Sequence, residues 1–206
     1  MTVSSSNRTE SAAAGPLRAY AAPAAIGALA ALTELGGEPL RQLFRYDRAA
    51  VAGGELWRLL TGHLEHLGPS HMVMNVIALS VLAFVLGPLL KPRDWIAVSL
   101  SSALAIDAGL YWLNPSIAWY VGLSGVLHGY WAAASVNGLI RRRPEALALT
   151  ALILVKLGYE TFVGSVPLTG EIAAGPVVTE AHAFGAAGGA LWPLAVLAIR
   201  RLRRSL

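Results

Sequence analysis

Six apolar stretches of close to 20 residues, each bounded by charges, prolines or glycines, constrain this chain more than any other feature. About 20 consecutive apolar residues are what an α-helix needs to cross the hydrocarbon core of a bilayer. The breaks place the predicted spans at roughly 17–35, 69–90, 94–113, 121–140, 145–163 and 178–199. In a chain of 206 residues, 55% hydrophobic and 14% charged, they leave no room for a sizeable soluble domain. The expected fold is all-α, a polytopic membrane bundle of six transmembrane helices over residues 17–200. A disordered tail (1–16) precedes it and a basic tail (201–206) follows.

The charges orient this bundle. Cations collect at Arg8 and Arg18, at Lys91 and Arg93, at Arg141, Arg142 and Arg143, and at Arg200, Arg201, Arg203 and Arg204, all on one side of a six-span layout. The opposite loops hold no cation over 114–120, and Glu171 and Glu180 without Lys or Arg over 164–180. Cytoplasmic loops carry the Lys/Arg excess, so both termini are expected in the cytoplasm. The connection 36–68 does carry Arg41, Arg45, Arg48 and Arg58 on the outer side; it is too polar to cross and is expected to be a structured interfacial loop. Membrane orientation thus accounts for the net charge of +4, and the expected partner surface is a lipid bilayer rather than a nucleic acid. With no cysteine, thiol nucleophiles, thiolate metal sites and disulfides are excluded. The chain shows no internal repeat of the kind many transporters carry.

Ionisable groups inside spans are costly and mark functional candidates. Around Gly122-Leu123-Ser124-Gly125, glycines permit a sharp turn into an apolar helix whose first amides are free to bind an anion. The competing reading is close helix packing by small residues. At Ala181 to Gly189, Gly185 and Gly189 share a face with His182, so close approach of a neighbouring helix would bring the imidazole within reach of Ser124, as catalyst or as a structural hydrogen bond. His71 and Asn75, four apart, present two neutral donors to one point, as an oxyanion hole requires. Zinc held by His63, His66 and His71 with Glu65 nearby is the alternative, but their spacing lacks the helical pairing of metal sites. His128 lies on the Ser124 face, as a tuning group or a buried hydrogen-bonding one. Lys156 and Glu160, four apart in the fifth span, read as a mutually neutralising pair. Asp107 has no evident partner in sequence.

Taken together, Trp57-Arg58-x-x-Thr61 with His71-x-x-x-Asn75, Gly122-x-Ser124-Gly125, and Ala181-His182-x-x-Gly185-x-x-x-Gly189, in this order, resemble the rhomboid intramembrane proteases over residues 17–200. The resemblance implies a six-helix rhomboid-like bundle and a Ser124–His182 catalytic dyad with no acidic third member. It also implies an oxyanion hole of His71, Asn75 and the Ser124 amide, supported by Gly122, Gly125, His128, Gly185 and Gly189. Trp57 and Arg58 match a membrane-dipping first loop and His66 a buried structural histidine in it. No metal or cofactor is implied. Within the family, Trp119 to Gly129, Lys156 to Glu160 and Val177 to His182 look like the rhombosortase branch. That likeness implies a bacterial inner-membrane enzyme, open to the periplasmic side, whose partners are transmembrane helices of substrate proteins, in particular C-terminal Gly-Gly anchors of exported proteins. The rival expectation is an inactive relative that binds or escorts membrane helices.

Overall fold

The computed structural model describes residues 7–205, with side chains from Tyr20 onward. Six long helices follow the predicted apolar runs: α1 (Asn7–Glu34), α5 (Pro69–Leu86), α6 (Pro92–Ala108), α7 (Ser124–Ile140), α8 (Glu145–Phe162) and α10 (Thr179–Ser205). Between α1 and α5, the first loop folds into short helices α2 (Gly37–Phe44), α3 (Arg48–Ala52) and α4 (Arg58–Thr61), with a two-residue strand β1 (Tyr46–Asp47). A second strand, β2 (Trp119–Tyr120), precedes α7, and α9 (Thr169–Ala173) lies before α10. The backbone is already helical from Asn7, so residues 7–16, expected as a disordered tail, extend α1; α10 likewise runs on through residues 201–205 of the expected basic tail. Residues 1–6 and 206 of those tails lie outside the described residues.

The helix boundaries have local causes. Pro69 and Pro92 sit in the first turns of α5 and α6, where their missing N–H is no loss. Asp94 caps α6 by accepting from the Lys91 amide (2.9 Å), and its other carboxylate oxygen accepts from Trp192 Nε1 on α10 (3.0 Å). Past Ala108, α6 widens into a π-helical turn, Gly109–Leu113. Arg48 reaches over to this end and donates to the carbonyls of Leu110 (2.6 Å) and Tyr111 (2.8 Å), which helical bonding leaves free.

α7 is the central helix, with 11 of its 17 residues buried. Around it α5, α6, α8 and α10 turn large apolar side chains outward, among them Val73, Ile77, Phe84, Leu100, Leu104, Leu154, Val155 and Leu191. Such a wide apolar exterior suits hydrocarbon rather than water. Among the described residues, three helical segments, Pro69–Leu89, Pro92–Leu113 and Thr179–Ser205, are long and apolar enough by themselves to cross a membrane. α8 is as long as α5 but carries Glu145, Lys156 and Glu160 in its 18 residues.

The first loop is held together by its own polar side chains. Arg58, almost fully buried, donates to the carbonyls of Gln42 (2.8 Å) and Arg45 (2.9 Å) and to Glu55 (2.7 Å). Trp57 Nε1 donates to Leu43 O (3.2 Å) and Thr61 Oγ1 to Phe44 O (2.7 Å). The Trp-Arg-x-x-Thr motif therefore satisfies four successive carbonyls, 42 to 45, at the C-terminal end of α2. Pairing of β1 with β2, Tyr46 opposite Tyr120 and Asp47 opposite Trp119, ties this loop to the segment that leads into α7.

Candidate active site

Ser124 is the first residue of α7, and the turn before it is fixed on both sides. Gly122 adopts φ +135°, a region that side chains disfavour. Its amide donates to Gly62 O in the first loop (3.1 Å), and its carbonyl accepts from the buried Tyr120 hydroxyl (2.8 Å). The serine is thus delivered at a helix N-terminus with its own amide among the unpaired ones.

α10 lies against α7 along a glycine seam. A Cβ on Gly185 would collide with the carbonyl oxygen of Gly125, and one on Gly189 with that of Gly129. This backbone-to-backbone approach brings His182 to Ser124, with Nε2 3.0 Å from Oγ. The glycine pairs that pack the helices therefore also set the Ser–His distance.

The expected dyad without an acidic member does not describe the geometry. Glu160 Oε2 on α8 lies 2.9 Å from His182 Nδ1, and both side chains are buried. The other carboxylate oxygen, Oε1, accepts from Lys156 Nζ at 2.5 Å. The predicted Lys156–Glu160 pair exists, but it consumes only one of two oxygens. A carboxylate only accepts, so the proton of His182 sits on Nδ1 and the lone pair of Nε2 faces the Ser124 hydroxyl. Glu160 is the functional candidate that sequence reasoning missed. The available signal was depth, because Glu160 lies two residues from the C-terminal end of α8 and His182 in the first turn of α10.

His128 stacks on His182, ring centroids 4.1 Å apart and 13° from parallel, with Nδ1 2.8 Å from Ser124 O. It backs the His182 ring. Ligand atoms of His128, Glu160 and His182 lie within 4.8 Å of one another, close enough to gather round a cation. Parallel rings, however, aim their in-plane lone pairs side by side rather than at a common point. The grouping His63, His66 and His71 is not formed: His63 Nε2 lies 3.3 Å from Asp107 Oδ1, whereas His66 and His71 meet edge to face at 5.0 Å. This contact supplies the partner that Asp107 lacked in sequence.

His71 and Asn75 line the same cavity as Ser124 and His182. His71 Nδ1 accepts from the Leu67 amide (3.3 Å), which leaves its proton on Nε2. A Cβ placed on Gly122 would lie 3.2 Å from His71 Cε1, 3.5 Å from Nε2 and 3.8 Å from Ser124 Oγ, so the bare glycine leaves open the space between the serine and this donor. Asn75 spends one amide proton on His71 O (3.0 Å) and keeps the second. The cavity, about 350 Å³ and predominantly apolar, lies between α5 (Met74, Ala78, Val81) and α8 (Lys156, Glu160). A second one of about 560 Å³ reaches Ser124 and His71 from the loop side, past Ser116, Thr179 and Glu180. Ser124 therefore stands between an apolar slot among helices and a more polar mouth among loops.

The Rhomboid domain family matches residues 53–199. A Bacillus subtilis (strain 168) protein named "Putative rhomboid protease YdcA" is 26% identical over 154 residues, covering 75% of this chain and 73% of that one.

Proposed function

Because the chain belongs to the rhomboid family, whose members are intramembrane serine proteases, we propose that it is an intramembrane serine endopeptidase with Ser124 as nucleophile and His182 as base. The observation that carries the reading is the 3.0 Å approach of His182 Nε2 to Ser124 Oγ at the junction of the two cavities. A substrate helix enters between α5 and α8 and unwinds at small residues to expose a peptide carbonyl. Ser124 Oγ attacks its carbon while the hydroxyl proton passes to His182 Nε2. The oxyanion is met by the Ser124 amide, His71 Nε2–H and the free Asn75 amide proton. Collapse expels the amine, which takes the proton from His182, and leaves an acyl-enzyme. Water from the loop-side cavity then attacks the acyl carbon while giving a proton to His182, and a second collapse breaks the ester bond, returns that proton from His182 to Ser124 Oγ and releases the acid.

Six spans with both termini cytoplasmic fit the Arg-rich ends of α7 and α10 and the turn at Lys91 and Arg93, which all lie opposite the site. On this reading the site opens to the periplasmic side of a bacterial inner membrane. The likeness of Trp119 to Gly129, Lys156 to Glu160 and Val177 to His182 to rhombosortases supports C-terminal Gly-Gly anchors of exported proteins as the substrate class. The test is cleavage in liposomes of two reporters, one with a Gly-Gly anchor and basic flank and one with a generic helix-destabilised span. Wild type is expected to cut the Gly-Gly anchor near its outer end, and Ser124→Ala and His182→Ala to cut neither reporter. Cleavage of the generic span alone would overturn the substrate class. Binding of both without cleavage would replace the protease by a helix-binding relative.

A further inference from the structure

We propose that Glu160 is a positioning residue that completes a Ser124–His182–Glu160 triad, and that Lys156 sets the way Glu160 is presented. The inference rests on the protease reading above and deepens it. Three observations meet here. Glu160 Oε2 is 2.9 Å from His182 Nδ1; Glu160 Oε1 is held by Lys156 Nζ; and the His182 ring is clamped against His128 at 4.1 Å. Carboxylate, imidazole and hydroxyl thus form one continuous hydrogen-bonded line from α8 through α10 to α7. An acceptor-only group on Nδ1 fixes the tautomer in which Nε2 can take a proton, and its negative charge stabilises the imidazolium formed during attack. The charges facing His182 are those of Glu160 and Lys156 on α8, with the titratable His128 on α7 and His71 on α5.

Lys156 makes the inference sharply testable, because an ammonium only donates. In Glu160→Gln the single amide oxygen is claimed by Lys156, and the NH2 group then points at His182 Nδ1. Nδ1 becomes an acceptor, the proton moves to Nε2, and the base presents a hydrogen to Ser124 instead of a lone pair. Removing Lys156 as well frees the glutamine to turn its oxygen toward Nδ1–H and restores the working tautomer.

The experiment compares wild type, Glu160→Gln, Lys156→Met/Glu160→Gln and Glu160→Asp in detergent. It measures cleavage of a membrane-anchored reporter, the rate at which a fluorophosphonate labels Ser124, and the thermal midpoint. Glu160→Gln is expected to lower kcat about 10²–10⁴-fold with KM within about threefold, and to slow labelling in parallel. The double variant is expected to recover at least about tenfold over Glu160→Gln, although it has lost one more native contact. Glu160→Asp, which keeps the charge, is expected to outperform Glu160→Gln. Full activity and labelling in Glu160→Gln would overturn the triad while leaving the protease reading intact. A double variant no better than the single one would overturn the role of Lys156. If Glu160→Gln fails to fold, Lys156→Met/Glu160→Leu decides, because it removes the carboxylate without leaving a buried charge unpaired: labelling slowed at least about tenfold at an unchanged thermal midpoint supports the triad, and labelling at the wild-type rate overturns it. Wild type that neither cleaves nor labels would remove both readings at once.

Discussion

One methyl group at Gly122 would be enough to spoil the proposed oxyanion site. The φ of +135° strains any side chain, and a Cβ would press on the His71 ring at 3.2 Å. Gly122→Ala is expected to lower kcat about 100-fold or more, read from steady-state cleavage, because it displaces a donor rather than a substrate contact. His71→Ala and Asn75→Ala are each expected to cost about 10²–10³ in kcat with little change in KM. Unchanged kcat in both would remove them from the oxyanion hole. At this scale much of the site was legible. Ser124, His182, His71 and Asn75 stand out because polar groups at the ends of apolar runs need a reason to be there. Glu160 was not, because Lys156 four residues earlier on the same helix offered a complete local explanation for a buried carboxylate. Only the approach of α10 reveals that one of its oxygens had been left over. Asp107 failed in the same way, its partner His63 lying 44 residues upstream in a loop whose fold no periodicity predicts.

Among the elements, the α7–α10 seam carries most of the geometry. Gly189→Val would thrust a branched side chain into the Gly129 carbonyl, with an expected cost on the order of 1–3 kcal/mol or more, read as a lowered thermal midpoint. Activity should fall further than stability, since any gap that opens there also lengthens the Ser124–His182 contact. The first loop behaves as a second unit, and it has a pH signature. Burial, reinforced by the neighbouring His71, pushes the His66 imidazole down from its ordinary 6.5 to about 3. A group whose folded value is depressed in this way stabilises the fold above its unfolded value and withdraws that stability as pH falls. Thermal stability is expected to decline from about pH 6.5 toward pH 3 through this group, and His66→Phe to flatten that decline in midpoints measured across the range. The boundaries of α5 and α6 were legible because Pro69 and Pro92 announce helix starts. The starts of α1 and the continuation of α10 were not, since 7–16 and 201–205 are polar yet contain good helix formers such as Ala, Leu and Arg.

For the whole molecule, the proposed mechanism divides the work between two openings onto Ser124. On that proposal the apolar slot between α5 and α8 takes the substrate helix and the more polar loop-side mouth admits water. Ala78→Trp, on the slot wall, is expected to block cleavage of a membrane-anchored reporter at least about tenfold while leaving labelling of Ser124 by a small water-borne fluorophosphonate within about twofold. Equal loss of both would mean that the slot is not a separate route. The most direct test of the account is to treat the wild-type protein with a fluorophosphonate and locate the adduct by peptide mass spectrometry. The account predicts a single adduct on Ser124 that is absent from His182→Ala; an adduct on another residue, or one that forms on Ser124 as fast without His182, would contradict it.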